Sequence, residues 1–440
     1  MITEPLYRKI GEELLGKINA GDFAPNSRLP AIRTLATELG VNNTTIVSAY
    51  KYLEQKRAVY SVRGSGVYVA NQNEKPAPVF FSAHGDCINF AATGSDTSFF
   101  PKEDFRRAFD AVLLRDGASV FSSAGGRGYM PLRETISALL AINSVQTTPE
   151  NIQITTDIRS GLALVLQKLI GPGDAVVLES PCAPWAAAAF AFCGAKILEM
   201  PLNSNGPDLD RLIFLAKKHK PKIFFFMPNY QQPTGLCYTN DVKEKLLVIA
   251  QNTNAHIIEA DDCGDFFYDE KPKPLRAANE RVIYLKSFER VLSPGLAGYI
   301  VYPKDATPHE TEGVSGYIQR GLDYYLRNND YDAFCAKIRG VFAKRYRRAI
   351  AAAETFLAPY ADFIIPGGGL GLWVSPKNSG KTAAYIDEFL IHKVLVSPGR
   401  FFAPSVIKPA AERHFRISFA NTNEDDISKG IGIIASVLAH

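Results

Sequence analysis

The chain has 440 residues, 46% hydrophobic and 21% charged, which is the make-up of a globular protein of two or three domains and excludes a disordered or fibrous one. Its net charge of +4 is too small to announce a nucleic-acid partner, but residues 1–70 carry nine Lys and Arg against six Asp and Glu, so +3 of it sits near the start. Six scattered cysteines, without CxxC or metal-ligand spacing, read as reduced and mostly buried thiols, and no metal site is expected. The charged opening "MITEPLYRKIGEELL" is not a signal peptide, and runs such as "AAAAFAFCGA" are too short for a membrane span. A cytoplasmic protein with no membrane contact is expected.

In chain order, Leu6, Ile10, Leu14 and Ile18 recur every four residues, one apolar stripe of a helix that stops at Gly21. "RLPAIRTLATELGV" follows, with Leu35, Leu39 and Val41 as core positions and Gly40 as a helix end. "NNTTIVSAYKYLEQK" begins with the capping residues Asn42 and Asn43 and turns Ile46, Tyr50 and Leu53 inward. "AVYSVRGSGVYVA" reads as a hairpin with a basic tip. Helix, helix-turn-helix and hairpin describe a winged helix, or else a small helical cap on an enzyme.

Residues 71–86, "NQNEKPAPVFFSAHGD", read as an extended linker between a first domain, 1–70, and a second, 87–440. From Cys87 strand-like and helical stretches alternate: "NIQITT", "GLALVLQKLI", "AVVLES", "WAAAAFAFCGA", "KILEMPL", "KIFFFMP", "AHIIEAD", "RVIYLKS". Such alternation predicts an α/β fold with a mostly parallel sheet covered by helices on both faces, and the continuously apolar strands agree. Long amphipathic stretches near 309–358 and mixed segments to the end predict a smaller α+β subdomain.

Residues 5–69 resemble the N-terminal domain of GntR-superfamily repressors throughout: "PLY", "G-x-x-x-P-x-x-R-L-P", "LA-x-x-L-G-V", "T-x-x-x-A-Y" and the "G-S-G" tip. The resemblance implies a double-stranded DNA operator as partner, met by Arg33, by the start of the recognition helix (Asn42, Asn43, Thr44, Thr45) and by Arg63 and Gly64 on the wing. The chemistry agrees, since Arg28, Arg33 and Lys51 can hold phosphates. Many relatives carry arginine where Asn43 stands; asparagine suits adenine, and an A·T-leaning half-site is expected unless Asn43 merely caps its helix.

Residues 87–440 resemble fold type I pyridoxal-phosphate enzymes of the aspartate aminotransferase class: "INFAATGSDTSFFP", "GRGYMPLRETISALL", "GPGDAVVLESP", "MPNYQQPTG", "IIEADDCGDFFYD", "YLKSFERVLSPGLAGY", "FRISFAN". Fused to a GntR-type winged helix, such a domain marks the MocR-type regulators, expected to be homodimers. The resemblance also shows departures at the cofactor. "S-F-E-R" puts Arg290 where relatives have the Schiff-base lysine, and arginine is no nucleophile at neutral pH. Lys286, four residues earlier, is not expected to reach the same point. "T-T-D-I" puts Asp157 in the phosphate turn in place of glycine, where its charge repels a phosphate. Ala260 and Asp262 stand where the ring-nitrogen carboxylate and a tyrosine are expected, although a one-residue slip restores Asp261; Ala297 replaces a phosphate-binding arginine. Gln232 keeps the turn facing the ring, and Arg416 matches the carboxylate-clamping arginine, or else pairs with an internal acid.

Asp157, Gln232, Asp261, Asp262, Arg290 and Arg416 are therefore expected to line a former cofactor site that takes a small effector, a carboxylate being the candidate class, without covalent pyridoxal phosphate. Arg290 is expected to pair with Asp157 or Asp261, or to turn the site toward an anion. The alternatives are noncovalent cofactor binding or attachment through Lys286, a working aminotransferase, and a scaffold with a dead pocket.

Overall fold

The computed structural model describes residues 5–440 except 21, 24–26, 57, 63–65, 70–86, 93, 95, 307, 309, 312, 379–381 and 405–410. The linker expected at 71–86 and the wing residues Arg63 and Gly64 thus lie outside the described residues. The chain divides into two compact units, Met1–Ser82 and Ala83–His440.

The first unit contains α1 (Leu6–Ala20), α2 (Ile32–Glu38) and α3 (Asn43–Gln55), then the antiparallel hairpin β1 (Val59–Val62) and β2 (Gly66–Val69). Ile10, Leu14 and Ile18 of α1 meet Leu35 of α2, Ile46, Tyr50 and Leu53 of α3, and Val59 and Val69 of the hairpin in one core. Two expected core positions are corrected. Leu6 is 55% exposed in the first turn of α1, and Leu39 is 44% exposed because it caps the C-terminus of α2, where the chain reverses at Gly40 (φ +63°). Val41, beyond the turn, covers the core instead.

In the second unit β3 (Ile88–Asn89) precedes the strands of a large sheet: β4 (Ile152–Thr155), β5 (Ala175–Ser180), β6 (Lys196–Asn203), β7 (Gly206–Pro207), β8 (Ile223–Phe226), β9 (His256–Ala260), β10 (Ile283–Ser287) and β11 (Gly298–Val301). Their order is β4-β11-β10-β9-β8-β5-β6-β7, with β6, β5, β8, β9 and β10 parallel and β11 antiparallel to both its neighbours. The period-two side-chain alternation sorts each strand between two cores. Ile223, Phe225, Ile258, Ile283 and Leu285 join α6 (Ile158–Leu169) and α7 (Pro184–Phe192) on one face. Phe224, Phe226 and Ile257 join α8 (Leu209–His219), α9 (Asn240–Thr253) and the short α10 (Leu275–Ala278) on the other, where Tyr284 and Tyr299 meet α4 (Lys102–Asp116), α5 (Met130–Ile142) and α11 (Gly316–Asn328).

The chain then runs through α12 (Tyr331–Ala352) into a four-stranded antiparallel sheet of β12 (Ala361–Phe363), β13 (Gly371–Pro376), β15 (Ser397–Pro398) and β16 (Phe415–Ser418), while β14 (Val394–Leu395) pairs with β3. These pack with α13 (Thr382–Ile391) and α14 (Glu424–Leu438) around Phe389, Phe415 and Ile431. Among the described residues no helix is long and apolar enough to cross a membrane. β4, β8, β9 and β10 all point the same way, so the segments after them emerge at one edge. In open α/β sheets that edge binds ligands.

Candidate functional site

Two surfaces carry chemistry, one in each unit. In the first, the turn between α2 and α3 exposes the start of α3. Asn42 holds the N-cap position with extended backbone (φ −71°, ψ 148°) and makes no side-chain capping bond. Asn43 is therefore the first helical residue and not the cap, and both it and Thr44 are exposed; Thr45 is half-buried. Lys51 lies two turns on from Thr44 along the same exposed stripe. Tyr50 on the opposite side donates to the Pro30 carbonyl at 2.7 Å and fixes α3 against the turn before α2. Arg33 is exposed in α2, and exposed Arg28 pairs through its backbone with Tyr68 at the base of the hairpin. A Cβ on Gly66 (φ +139°) would come within 2.5 Å of the Arg28 Nε, so that glycine lets the guanidinium lie across the strand.

In the second unit the segments leaving β8, β9 and β10 converge on Arg290. Its Nε donates to both carboxylate oxygens of Asp262, at 3.1 and 3.0 Å, and its Nη2 donates to Oδ2 at 2.6 Å. Side-chain exposures of 8% and 2% make this a desolvated pair, and the adjacent carboxylate outweighs burial to raise the Arg290 pKa above its ordinary value. Gln232 adds a third donor, Nε2 to Asp262 Oδ2 at 2.6 Å. The Gln232–Pro233 bond is cis, and the neighbouring Gln231 donates to buried Glu179 at 2.8 Å.

Arg416 reaches the same place from β16, yet it is short of partners. Its Nη2 meets Ser397 Oγ at a long 3.4 Å, its Cζ lies 5.1 Å from the centre of the Phe402 ring, and its Nε is buried with no hydrogen-bond partner. No internal acid pairs with it among the described residues, and burial, reinforced by the charge of Arg290, pushes its pKa down to about 10. Between the two arginines, Gln232 and Cys263 lies a cavity of about 30 Å³.

Asp157 and Asp261 lie elsewhere. Asp157 caps α6: its carboxylate accepts from Ser160 N at 2.7 Å and its own N–H donates to Ser160 Oγ at 3.1 Å, a reciprocal capping box. The helix N-terminus that would receive a phosphate is thus already occupied by a side-chain anion. Asp261 turns away from Asp262 and accepts from Tyr284 Oη at 2.6 Å and Lys286 Nζ at 3.1 Å. The one-residue slip that would return Asp261 to the arginine side is therefore not realised, and neither is a pairing of Arg290 with Asp157 or Asp261. Ala260 is fully buried in the core against α6 and α7. Sequence reasoning missed Phe402, Ser397, Cys263 and Glu179; only the glutamate carried a signal, a lone acid in the apolar run "AVVLES".

Residues 6–69 match the family "Bacterial regulatory proteins, gntR family", and residues 86–287 match "Aminotransferase class I and II". YdfD of Bacillus subtilis, described as an uncharacterized HTH-type transcriptional regulator, is 25% identical over 97% of this chain and 95% of its own length. YdcR of Escherichia coli, described in the same terms, is 27% identical over 90% and 92%. A 2-aminoadipate transaminase of Thermus thermophilus is 25% identical over 78% of this chain and 88% of the enzyme. The crystal structure of LysN, the α-aminoadipate aminotransferase of that organism, superposes with a TM-score of 0.72 at 24% identity, covering 80% of this chain and 91% of the enzyme.

Proposed function

We propose that this chain, a DNA-binding transcriptional regulator of the MocR type in which a gntR-family domain is fused to an aminotransferase class I and II domain, senses a small carboxylate at Arg416 and does not hold pyridoxal phosphate as a Schiff base. The observation that carries this reading is the buried, under-partnered Arg416 guanidinium beside the closed Arg290–Asp262 pair. A desolvated cation without an anion is costly, and a carboxylate in the cavity would relieve that cost with charge-assisted bonds. About 30 Å³ accommodates one or two water-sized groups, which suits a carboxylate head.

The same residues do not fit the cofactor of aminotransferases. Arg290 stays protonated and offers no amine, Ala260 offers no acceptor to a ring nitrogen, Asp157 opposes a phosphate, and the space left is too small for a pyridine ring. The reading therefore includes absence of transaminase activity, a homodimer, and a cytoplasmic site of action on a DNA operator. The DNA surface is proposed to comprise Arg28, Arg33, Asn42, Asn43, Thr44, Thr45 and Lys51, with Arg63 and Gly64 on the wing.

Likeness to a 2-aminoadipate transaminase favours a second reading, noncovalent pyridoxal phosphate or attachment through Lys286. Against it, Lys286 is clamped between two carboxylates that hold it protonated. Calorimetry of the purified chain with a panel of small mono- and dicarboxylates tests the first reading. Arg416→Met is expected to weaken the best binder at least about tenfold, the scale of a lost charged hydrogen bond. Unaltered carboxylate affinity in that variant, or a borohydride-sensitive visible band from pyridoxal phosphate in the native protein, would overturn it.

A further inference from the structure

The cleft that holds Arg416 continues past it. In the antiparallel sheet Trp373 of β13 and Ser397 of β15 both stand directly opposite Arg416, so the three side chains share one face. Gly371 and Ser418, two residues along their strands, lie on that face too and line the cavity of about 30 Å³. At the Trp373 end of the face lies a second cavity of about 600 Å³, well within the size range of small-molecule sites. Leu202, Leu236, Ile364, Ile365, Trp373 and Phe402 give it apolar walls. Glu199, which accepts from Ser180 Oγ at 3.0 Å, is the one carboxylate among its described lining residues. Ile365 stands at the lip, 54% exposed.

Two features tie the cavities together. Thr234 and Leu236 line the larger one, and Gly235 between them lines the smaller. The Phe402 ring lines the larger one as well; its centre lies 5.1 Å from Arg416 Cζ and 5.4 Å from the Trp373 ring, which it meets edge to face. Phe402 thus partitions a single cleft, with a buried cation behind it and an apolar chamber in front.

We propose that this chamber is the tail subsite of the effector, which is a monocarboxylate with an apolar tail and not a dicarboxylate. The tail site rests on the reading of Arg416 as the carboxylate anchor. Without an anion the guanidinium leans on the Phe402 ring, a contact far weaker than a charge-assisted bond to a carboxylate. An arriving carboxylate therefore takes over the guanidinium, and a turn of the released Phe402 side chain joins head and tail sites. Each methylene of the tail then leaves water for the apolar walls, whereas a second carboxylate at its far end would face those walls and Glu199.

Calorimetry and ligand-observed NMR on the full chain with acetate, butanoate, hexanoate and hexanedioate test this. Affinity is expected to rise about two- to fourfold for each methylene added from acetate to hexanoate, the gain from burying a CH₂ group. Hexanedioate is expected to bind at least about tenfold more weakly than hexanoate. Ile365→Asp, at an exposed position, and Asn203→Trp, which fills the chamber from its exposed rim, are each expected to lower the hexanoate-to-acetate affinity ratio about tenfold. Acetate that binds with no gain along the series overturns the tail site while sparing the head site at Arg416. So does a gain that both variants leave intact, or hexanedioate that binds as tightly as hexanoate. Failure of every probe to bind overturns the carboxylate reading, and the tail site with it.

Discussion

Arg290 and Asp262 form a pair whose value lies in its completeness. Removing one partner from a desolvated ion pair strands the other charge, whereas replacing both with apolar groups of similar size removes the penalty along with the attraction. Arg290→Ala is expected to cost about 3–5 kcal/mol of unfolding free energy, and Arg290→Met with Asp262→Leu to stay within about 2 kcal/mol of the parent, measured by urea unfolding. A second residue makes stability depend on pH. Glu179 is fully buried and accepts from Met227 N at 2.8 Å, from Gln231 Nε2 at 2.8 Å and from the Tyr238 hydroxyl, and burial pushes its pKa up from 4.5 to about 7. The unfolded chain ionises this group first. Its contribution is therefore complete below pH 4.5 and is lost as pH rises to about 7, a change on the order of 3 kcal/mol. Burial likewise pushes Glu259 up to about 7, so unfolding free energies at pH 5 and pH 7.5 should show the decline, and Glu179→Gln should remove about half of it. Arg290 was legible in "S-F-E-R" as a residue of the site, but its partner was not. Adjacent aspartates in the turn "D-D-C-G-D" leave the backbone on opposite sides, and no periodic rule holds beyond the strand end that assigns them.

At the scale of elements, apolar periodicity located the helices of the first unit and the buried strands of the second, because both arise from one-sided or two-sided burial. It failed at Leu39, where a helix end and not the helical period decides exposure. Helix α3 presents Asn43 and Thr44 exposed in its first turn, behind an N-cap Asn42 that makes no side-chain capping bond. If Asn43 reads adenine, Asn43→Ala is expected to relax that preference in an operator selection, at a cost of about 1–3 kcal/mol at that base pair. Helix α6 offers the opposite case. Its N-terminus is sealed by Asp157, so Asp157→Ala should cost about 1 kcal/mol of stability by thermal unfolding.

For the whole molecule, the order of the two domains was legible because each carries long, specific motifs in sequence order. The shapes of the two cavities were not, since they depend on segments brought together from distant parts of the chain. If Arg28, Arg33 and Lys51 hold phosphates, operator affinity should fall steeply with salt, and Lys51→Ala should reduce the slope of log affinity against log salt by about 1 per copy. Fluorescence anisotropy across a salt series would measure it; an unchanged slope would remove Lys51 from the interface. The turn after β9 has one more consequence. Its neighbouring aspartates fasten to Lys286 within β10 and to Arg290 just beyond it, so two cross-ties join the ends of adjacent strands. The turn therefore works as a clasp across the edge of the sheet, and loosening either tie would free the ends of two strands together.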